Sequence, residues 1–487
     1  MNKNITCILP YAPIDELKST IKNLKDSAMV EKIIVVAPEV VDVEGVDVLV
    51  AEGGIYVSST WKALVERMLG GCVAVYTKPM ALVLGQNALE RMSKACADTG
   101  AGMVYSDFYE RKEGQLAAHP VIDYQEGSLR DDFDFGSLMF FKKEAFVKAI
   151  NEMDADYKFA ALYDVRLRVS QNYELFHLPE LLYTEVELDT RKSGEKMFDY
   201  VDPRNRDRQV EMELACTAHL KKVGAYLKPD FKKIDFSESK FPVEASVIIP
   251  VRNREKTVAD AIESVLKQKT IFAFNLIIVD NHSTDKTTEI IQSFKDDRIV
   301  HIIPERDDLG IGGCWNRAVE DERCGKFAVQ LDSDDLYIDE TVLEQVVQAF
   351  YEQNCAMVVG SYQMVNFKLE EIPPGLIDHK EWTADNGRNN ALRINGLGAP
   401  RAFYTPVIRD VKVPNTSYGE DYALGLNISR NYQIGRIYNP LYLCRRWEDN
   451  SDASLDINKM NVHNLYKDKI RTMELKARQQ VVKRQKI

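Results

Sequence analysis

The strongest constraint on the fold is an alternation of short apolar runs with amphipathic segments, which occurs twice along the chain. The apolar runs of the second half are 246–251, 276–279, 298–303, 326–331 and 356–360, and those of the first half are 5–9, 32–36 and 72–76. Between them, segments such as 258–266 carry apolar residues at helical spacing. Strands that alternate with helices predict a parallel sheet with crossover helices, so both halves are expected to be α/β domains.

Matching residues indicate that the two halves are copies of one domain. Pro10 corresponds to Pro250 and Trp61 to Trp315, at offsets of 240 and 254, and loop insertions explain the difference. From each tryptophan the register holds without gaps, and five further residues are identical. In the first copy these are Val65, Glu66, Gly71, Ala74 and Val75, and in the second Val319, Glu320, Gly325, Ala328 and Val329. Shared composition would give some identities, but a tryptophan anchor with a gap-free register favours duplication.

The length and composition predict several domains. A chain of 487 residues exceeds one ordinary core. The stretch 225–242 has two prolines, many charges and no periodicity, which is typical of a linker. We therefore divide the chain into a first domain at 1–230, a linker at 231–242, a second domain at 243–450 and a basic helical tail at 451–487.

Charge and cysteine usage exclude several classes of protein. The net charge of −12 argues against binding of nucleic acid, which requires a basic face. The eight cysteines are scattered without C-x-x-C pairs, as expected for reduced core residues of a cytoplasmic protein. The sequence contains neither a signal peptide nor an apolar run of about 18 residues. The tail carries eight Lys or Arg from Tyr466 onward, so it is either a solvated helix or a peripheral contact with anionic lipid.

An acidic motif follows the predicted strand at 326–331. Asp332, Ser333, Asp334 and Asp335 are placed at the carboxyl edge of the sheet, where open α/β folds bind ligands. Two carboxylates in D-x-D spacing suit a hard divalent cation that bridges phosphates. The alternative is a solvated acidic turn before a helix cap at Asp339.

Four blocks in the second half together resemble glycosyltransferase family 2. In order they are SVIIPVRNREKTVADAIESVLKQ, LIIVDNHSTDKT, DLGIGGCWNRAV and GKFAVQLDSDD. Members of this family are nucleotide-sugar-dependent enzymes with the Rossmann-like GT-A fold. The resemblance covers about residues 243–450 and extends weakly to the first half. It implies two tandem GT-A domains, of which the first is degenerate.

The resemblance also implies a donor site. The implied nucleotide contacts are Pro250, Arg252, Asn253, Asp280, Asn281, Asn316 and Asp332. Asp334 is implied as the direct ligand of Mn²⁺ or Mg²⁺, with Asp332 as a second contact. Asn281 stands where family members usually have a second Asp, and Trp315 stands where Arg is usual, so the choice between a UDP-linked and a GDP-linked donor stays open. For Asp285 we favour an Asx turn before a helix.

Glu420 and Asp421 resemble the ED motif of the family, with Asp421 as the catalytic base. Attack of an alcohol on an anomeric carbon needs a carboxylate that removes the proton as the bond forms. By itself, an acidic pair that opens a helix is ordinary capping. In the first half, the register places Lys78 opposite Asp332 and Leu162 opposite Asp421. The first copy is therefore expected to have lost both the metal site and the base.

The implied function is inverting transfer of a sugar from a nucleotide-diphosphate donor to an acceptor hydroxyl, in synthesis of a cell-surface polysaccharide or glycolipid. The departures at Asn281 and Trp315 keep open a non-catalytic nucleotide- or sugar-binding protein on the same scaffold. A nucleotidyltransferase is disfavoured because PVRNREKT is not the glycine-rich loop of that class.

Acceptor loops are expected between Asn366 and Arg401, where Trp382 either stacks on a sugar or simply packs. The run Arg445 to Trp447 either covers the diphosphate of the donor or pairs with the acidic residues that follow it.

Overall fold

The computed structural model describes residues 3–485 except 188, 190, 192–195, 197–198, 200–201, 238–239, 449 and 451–453. Contacts between Cα atoms divide the chain into two units. Unit 1 comprises Met1–Lys192, Asp207–Ala225 and Leu455–Thr472, and unit 2 comprises Ser193–Arg206, Tyr226–Ser454 and Met473–Ile487. The division differs from the predicted one at the C-terminus, because 451–487 is shared between the units and does not form a separate tail.

Unit 1 consists of a seven-stranded sheet, a four-stranded sheet and their helices. Its strands are β1 (Ile5–Pro10), β2 (Val30–Ala37), β3 (Asp47–Val50), β4 (Cys72–Tyr76), β5 (Val83–Leu84), β6 (Met103–Ser106), β7 (Phe108–Lys112), β8 (Gln115–His119), β9 (Leu138–Lys142), β10 (Leu175–Leu178) and β11 (Tyr183–Val186). Its helices are α1 (Ile14–Lys25), α2 (Ser58–Leu64), α3 (Ala88–Thr99), α4 (Lys143–Asn151), α5 (Ala161–Ser170) and α6 (Arg206–Lys222).

Unit 2 is built on one nine-stranded sheet. Its strands are β12 (Ala245–Val251), β13 (Phe274–Asp280), β14 (Ile299–Ile302), β15 (Phe327–Gln330), β16 (Leu336–Tyr337), β17 (Met357–Val365), β18 (Glu371–Ile377), β19 (Arg401–Tyr404) and β20 (Ile434–Arg445). Its helices are α7 (Val258–Leu266), α8 (Thr287–Ser293), α9 (Ile311–Glu320), α10 (Val342–Gln353), α11 (Gly387–Asn390), α12 (Thr405–Val411) and α13 (Glu420–Ser429). The last helix, α14 (Ile457–Gln485), contributes residues to both units.

The main sheets of the two units have the same strand order. In unit 1 the order is β3-β2-β1-β4-β9-β6-β10, and in unit 2 it is β14-β13-β12-β15-β19-β17-β20-β16. The first four strands of each order are parallel, as predicted. The next strand, β9 or β19, runs antiparallel to both of its neighbours, so the prediction of wholly parallel sheets was wrong. Because β9 and β19 are as apolar as their neighbours, their direction cannot be deduced from periodicity.

The core of unit 2 follows from its apolar runs. All seven residues of β13 are buried, as expected for a strand covered on both faces. The predicted stripe of α7 is confirmed, since Val258, Ala261, Ile262 and Val265 are buried. The predicted linker also packs on this core, because the Phe236 ring makes edge contacts with Phe327 and Tyr404 at 5.6 and 5.2 Å.

The basic residues of α14 are not uniformly exposed. Arg471 and Arg478 are fully buried, and they pair with Asp468 and Glu474 at 2.8 Å. Lys469, Lys476, Lys483 and Arg484 are exposed, so the choice between a solvated helix and a peripheral contact with lipid stays open. No helix among the described residues has the length and apolarity needed to cross a bilayer. No disulfide joins the eight cysteines, all of which are described, and seven are buried.

Candidate active site

The acidic motif follows β15 and lies at the carboxyl edge of the parallel strands of unit 2. The strand is fully buried, whereas Asp332 and Asp334 are partly exposed. The Gln330 side chain donates to both carboxylate oxygens of Asp332 at 2.9 Å. The backbone amide of Asp332 donates to the Tyr442 hydroxyl, also at 2.9 Å. Gln330 at the end of β15 thus fixes the first carboxylate of the motif, and Tyr442 of β20 fixes its backbone.

Asp334 is held by groups from two other segments. Trp447 Nε1 and Asn450 Nδ2 donate to its Oδ2 at 3.2 and 3.0 Å, and Arg254 Nε lies 3.9 Å from the same oxygen. Trp447 therefore contacts the motif itself. Arg445, which was also considered for the diphosphate, is buried and pairs with Asp260 at 2.9 Å. Asp449, one of the predicted acidic partners, lies outside the described residues.

Asp335 has a structural place in the motif. Its carboxylate is buried and accepts a hydrogen bond from the backbone amide of Arg445 at 2.7 Å. Burial, together with the nearby charges of Asp334 and Asp332, raises the pKa of Asp335 well above its ordinary value. The side chain therefore ties the end of β20 to the acidic turn.

Glu420 and Asp421 open α13, as predicted, and they face the same edge. Arg401 Nη1 lies 2.8 Å from Asp421 Oδ2, and the Arg401 backbone amide donates to Gln330 Oε1 at 3.1 Å. Burial raises the pKa of Glu420 to about 8, and the charges of Asp421 and Asp332 add to the rise. The carboxylates of the D-x-D and ED motifs therefore share one electrostatic environment, with Arg401 as their cation.

The predicted nucleotide contacts follow β12 and β13. Asp280 is fully buried and receives hydrogen bonds from Ser283 N at 3.1 Å and Thr288 Oγ1 at 2.5 Å, while His301 Nε2 lies 3.5 Å away. Burial alone would raise the pKa of Asp280, but these three groups hold it well below its ordinary value. This carboxylate organises the loop, and its contact with a nucleotide base stays a prediction.

Asn281 differs from Asp280 in having spare capacity for a hydrogen bond. Its Nδ2 donates to the Leu309 carbonyl at 2.8 Å, whereas its buried Oδ1 has no hydrogen-bond donor among the described residues. Asn253, in the left-handed region at φ 53°, accepts from Thr284 N at 2.8 Å and so links the two loops. Pro250 is the penultimate residue of β12, and Arg252 follows the strand with an exposed side chain.

Three further predicted residues serve the scaffold. Both ends of the Asn316 amide bond the backbone of Val413, at 2.7 and 2.9 Å. Trp382 is buried under Arg436, so it packs in the core and is not exposed for stacking on a sugar. Asp285 accepts a hydrogen bond from Thr287 N at 2.9 Å, which is the Asx turn that the sequence favoured.

The residues at this edge fit a divalent cation. Burial and the like charges of Asp334 and Asp421 raise the pKa of Asp332, although Arg401 opposes the rise. A cation would relieve this concentration of negative charge. Within the described chain, neither carboxylate of the D-x-D motif belongs to a set of three side chains close enough to enclose an ion. Two carboxylates without a third protein ligand suit an ion such as Mg²⁺, which keeps substrate phosphates and water in its coordination shell.

The corresponding position in unit 1 carries its own cation. Glu110, Glu185 and Glu187 form a cluster of three carboxylates. Lys78 forms an ion pair with Glu185, and its Nζ lies 3.6 Å from Glu187. A lysine ammonium thus stands among these acids at the position that the sequence register sets opposite Asp332.

Sequence comparison identifies the family of the second half. The profile of Glycosyl transferase family 2 matches residues 246–406, the stretch that contains the D-x-D motif and Arg401. Residues 246–406 form a glycosyl transferase family 2 domain. The matched part begins in β12 and ends in α12, so the ED pair on α13 lies just beyond it.

Relatives of the family 2 domain include characterised enzymes. UDP-Glc:alpha-D-GlcNAc-diphosphoundecaprenol beta-1,3-glucosyltransferase WfgD of Escherichia coli is 28% identical over 217 residues, which are 44% of this chain and 80% of that protein. Glycosyltransferase GlyG of Streptococcus pneumoniae is 30% identical over 118 residues, 24% of this chain and 38% of that protein. The crystal structure of S. aureus TarS 1-349 in complex with UDP-GlcNAc has a TM-score of 0.37 at 19% identity, covering 48% of this chain and 71% of that one.

Sequence reasoning missed the residues that organise the carboxylates. Gln330 sits inside a strand, and Asn450 follows the last strand by several residues, so neither has a motif of its own. Arg401 was placed among candidate acceptor loops, whereas it pairs with the predicted base. No sequence signal would have found it, because only the pairing of β19 with β15 brings Arg401 to this edge.

Proposed function

We propose that unit 2 is a metal-dependent, inverting glycosyltransferase that moves a sugar from a nucleotide-diphosphate donor to an acceptor hydroxyl. The observation that carries the proposal is the meeting of the D-x-D and ED carboxylates around Arg401, at the carboxyl edge of a family 2 domain. A site that served only to bind a nucleotide would have no need of the second acidic pair.

The donor side rests on Asp332, Asp334 and Asn281. Asp334 would hold a Mn²⁺ or Mg²⁺ ion with Asp332 as a second contact, and the bound ion supplies Lewis-acid neutralisation of the diphosphate leaving group. Trp447 and Asn450 orient the Asp334 carboxylate through its Oδ2. The buried Oδ1 of Asn281 accepts an N–H of the base, which uracil and guanine both offer.

Asp421 acts as the general base. Arg401 Nη1 lies 2.8 Å from its Oδ2 and orients the carboxylate. As the acceptor oxygen forms its bond to the anomeric carbon, its proton passes to Asp421, and the bond to the diphosphate breaks with its electron pair on the leaving oxygen. One displacement from the opposite face inverts the anomeric centre. Glu420, whose pKa is about 8, stays largely protonated beside the base.

We propose that the acceptor is a precursor of a cell-surface carbohydrate. The name of the E. coli relative specifies a diphosphoundecaprenol-linked sugar as its acceptor. We infer the same broad class here, a polysaccharide or glycolipid precursor reached from the cytoplasmic side. The chain covers only 38% of the length of the S. pneumoniae glycosyltransferase GlyG. We therefore infer the class of acceptor and not a particular acceptor.

Unit 1 is proposed to be a degenerate copy of the same domain. Its main sheet shares the strand order of unit 2, including the antiparallel strand at the same position. Lys78 takes the place of the first carboxylate of the D-x-D motif, and Leu162 takes the place of the base. A domain with these residues would have neither metal site nor base.

Titration calorimetry of UDP and GDP, with and without Mn²⁺, tests the donor site. Wild type should bind one nucleotide in a metal-dependent manner, and Asp334→Ala should abolish that binding. Asp421→Asn should retain donor binding but lose transfer, because the amide cannot accept the proton. Metal-dependent binding without transfer in wild type would favour the non-catalytic alternative, and unchanged transfer by both variants would refute the assignment.

A further inference from the structure

Unit 1 contains a cavity of about 460 Å³ at the carboxyl edge of its parallel strands. Part of its wall is the segment 131–136, which leads into β9. Since Leu138 at the start of β9 pairs with Tyr76 at the end of β4, this segment lies at the edge where open α/β sheets bind ligands. The volume is that of an ordinary small-molecule site.

The cavity occupies the place that the active site has in unit 2. In unit 1, α5 is the second helix after the antiparallel strand β9, and in unit 2, α13 is the second helix after β19. Leu162, the second residue of α5, lines the cavity, and Asp421 is the second residue of α13. The cleft is therefore retained in unit 1, whereas the base is replaced by an apolar side chain.

The lining carries equal numbers of positive and negative side chains, and most of them are paired with other groups of the protein. Three arginines and three aspartates contribute to it. Arg130 Nη1 donates to Asp132 at 3.0 Å, and Asp134 bonds His119 Nε2 at 2.8 Å. Although burial opposes it, these partners hold the pKa of both carboxyls below the ordinary value. An anionic ligand would meet three carboxylates as well as three arginines, so the lining favours neither sign of charge.

Aromatic rings supply the remaining surface. Tyr56 and Phe159 line the cavity and are 47% and 40% exposed, so their rings are accessible to a ligand. Phe133 and Phe135 lie deeper and are buried, with ring centroids 4.5 Å apart. Rigid rings beside hydrogen-bonding groups such as Asn461 and Asn464 match the C–H faces and hydroxyls of a neutral sugar.

We propose that unit 1 binds a neutral oligosaccharide in this cavity, as a non-catalytic site that holds a segment of the glycan on which the chain acts. The ligand class follows from the lining, and its identity as acceptor or product rests on the function proposed for unit 2. Because Leu162 replaces the base, a sugar bound here is held without being transformed.

The test uses the full chain and three neutral trisaccharides: cellotriose, laminaritriose and chitotriose. Saturation-transfer NMR and calorimetry measure binding to wild type, to Tyr56→Ala/Phe159→Ala and to Tyr109→Ala. Tyr109 is a matched control, because it is an exposed ring of unit 1 that does not line the cavity. We expect at least one trisaccharide to bind, with affinity reduced about tenfold in the double variant and unchanged in the control.

A parallel measurement separates this proposal from the function of unit 2. Asp334→Ala should lose metal-dependent nucleotide binding and keep trisaccharide binding, and the double variant should do the reverse. Failure of the donor site with intact sugar binding would refute only the proposed function. Absence of binding by all three sugars, loss of binding in Asp334→Ala, or equal binding by the double variant and the control would overturn the oligosaccharide site.

Discussion

Glu420 gives unit 2 a pH-dependent stability that can be calculated. Its carboxyl is 9% exposed, and burial together with the charges of Asp421 and Asp332 raises its pKa from 4.5 to about 8. Below pH 4.5 both the folded and the unfolded chain hold the proton, and the effect vanishes. Between these values the unfolded chain releases the proton and the folded chain keeps it, so rising pH favours unfolding. At about 1.4 kcal/mol per pKa unit, the loss is about 3 kcal/mol at pH 7 and about 5 kcal/mol above pH 8.

Glu420→Gln removes the titrating group and keeps the size of the side chain. The free energy of unfolding of the variant, minus that of wild type, should therefore increase by about 1.4 kcal/mol per pH unit between pH 5 and 8. It should level off outside that window. Any constant cost of burying the amide cancels, because the prediction concerns the slope against pH and not the absolute difference.

Urea unfolding monitored by tryptophan fluorescence provides the measurement. Three of the four tryptophans lie in unit 2, and a Trp61→Phe background removes the one in unit 1. EDTA keeps divalent ions from binding the neighbouring carboxylates. Glu352→Gln, on the exposed side of α10, provides the comparison for a surface carboxylate. A difference for Glu420→Gln that stays flat from pH 5 to 8 would refute the raised pKa and the shared electrostatic environment behind it.

Three further substitutions test individual contacts. Arg401→Met removes the cation 2.8 Å from Asp421 Oδ2 and with it the contact that orients this carboxylate, so kcat for sugar transfer should fall at least about tenfold. Gln330→Ala removes both hydrogen bonds to the first carboxylate of the D-x-D motif, and Mn²⁺-dependent nucleotide affinity should fall about tenfold by calorimetry. Lys78→Met leaves the buried Glu185 without its ammonium partner, and unit 1 should lose about 3 kcal/mol of stability in thermal unfolding. A second change, Glu185→Gln, should restore most of that loss.

Periodicity predicted those strands and helices of unit 2 that lie in runs with one clear pattern. β13 is a continuous apolar run and α7 carries a regular stripe, and both were confirmed within two or three residues. The antiparallel direction of β19 was not predictable, since a strand buried on both faces has the same composition in either direction. The packing of the predicted linker depends on one side chain, Phe236, whose partners lie far along the chain.

The candidate site likewise contains some residues that the sequence could reveal and others that it could not. Asp332, Asp334, Glu420 and Asp421 belong to local motifs, and their place at one sheet edge follows from strand order. Arg401, which connects them, belongs to no motif, because it acts through neighbours that only the pairing of β15 with β19 brings close. Long-range charge compensation of this kind is not recorded in spacing along the sequence.

In our proposal unit 1 has lost an active site, and the contrast between the two units indicates why one substitution would not restore it. In unit 2 the acidic motifs depend on Arg401, which opposes the rise in the pKa of Asp332 that burial and the charges of Asp334 and Asp421 cause. In unit 1 Lys78 plays the opposite part, because it neutralises acids that would otherwise repel one another. Lys78→Asp would create a carboxylate beside an uncompensated cluster, and Leu162→Asp alone would leave the metal site missing. The two compensating arrangements are alternatives, so conversion requires several concerted changes, while the cleft itself can persist for binding.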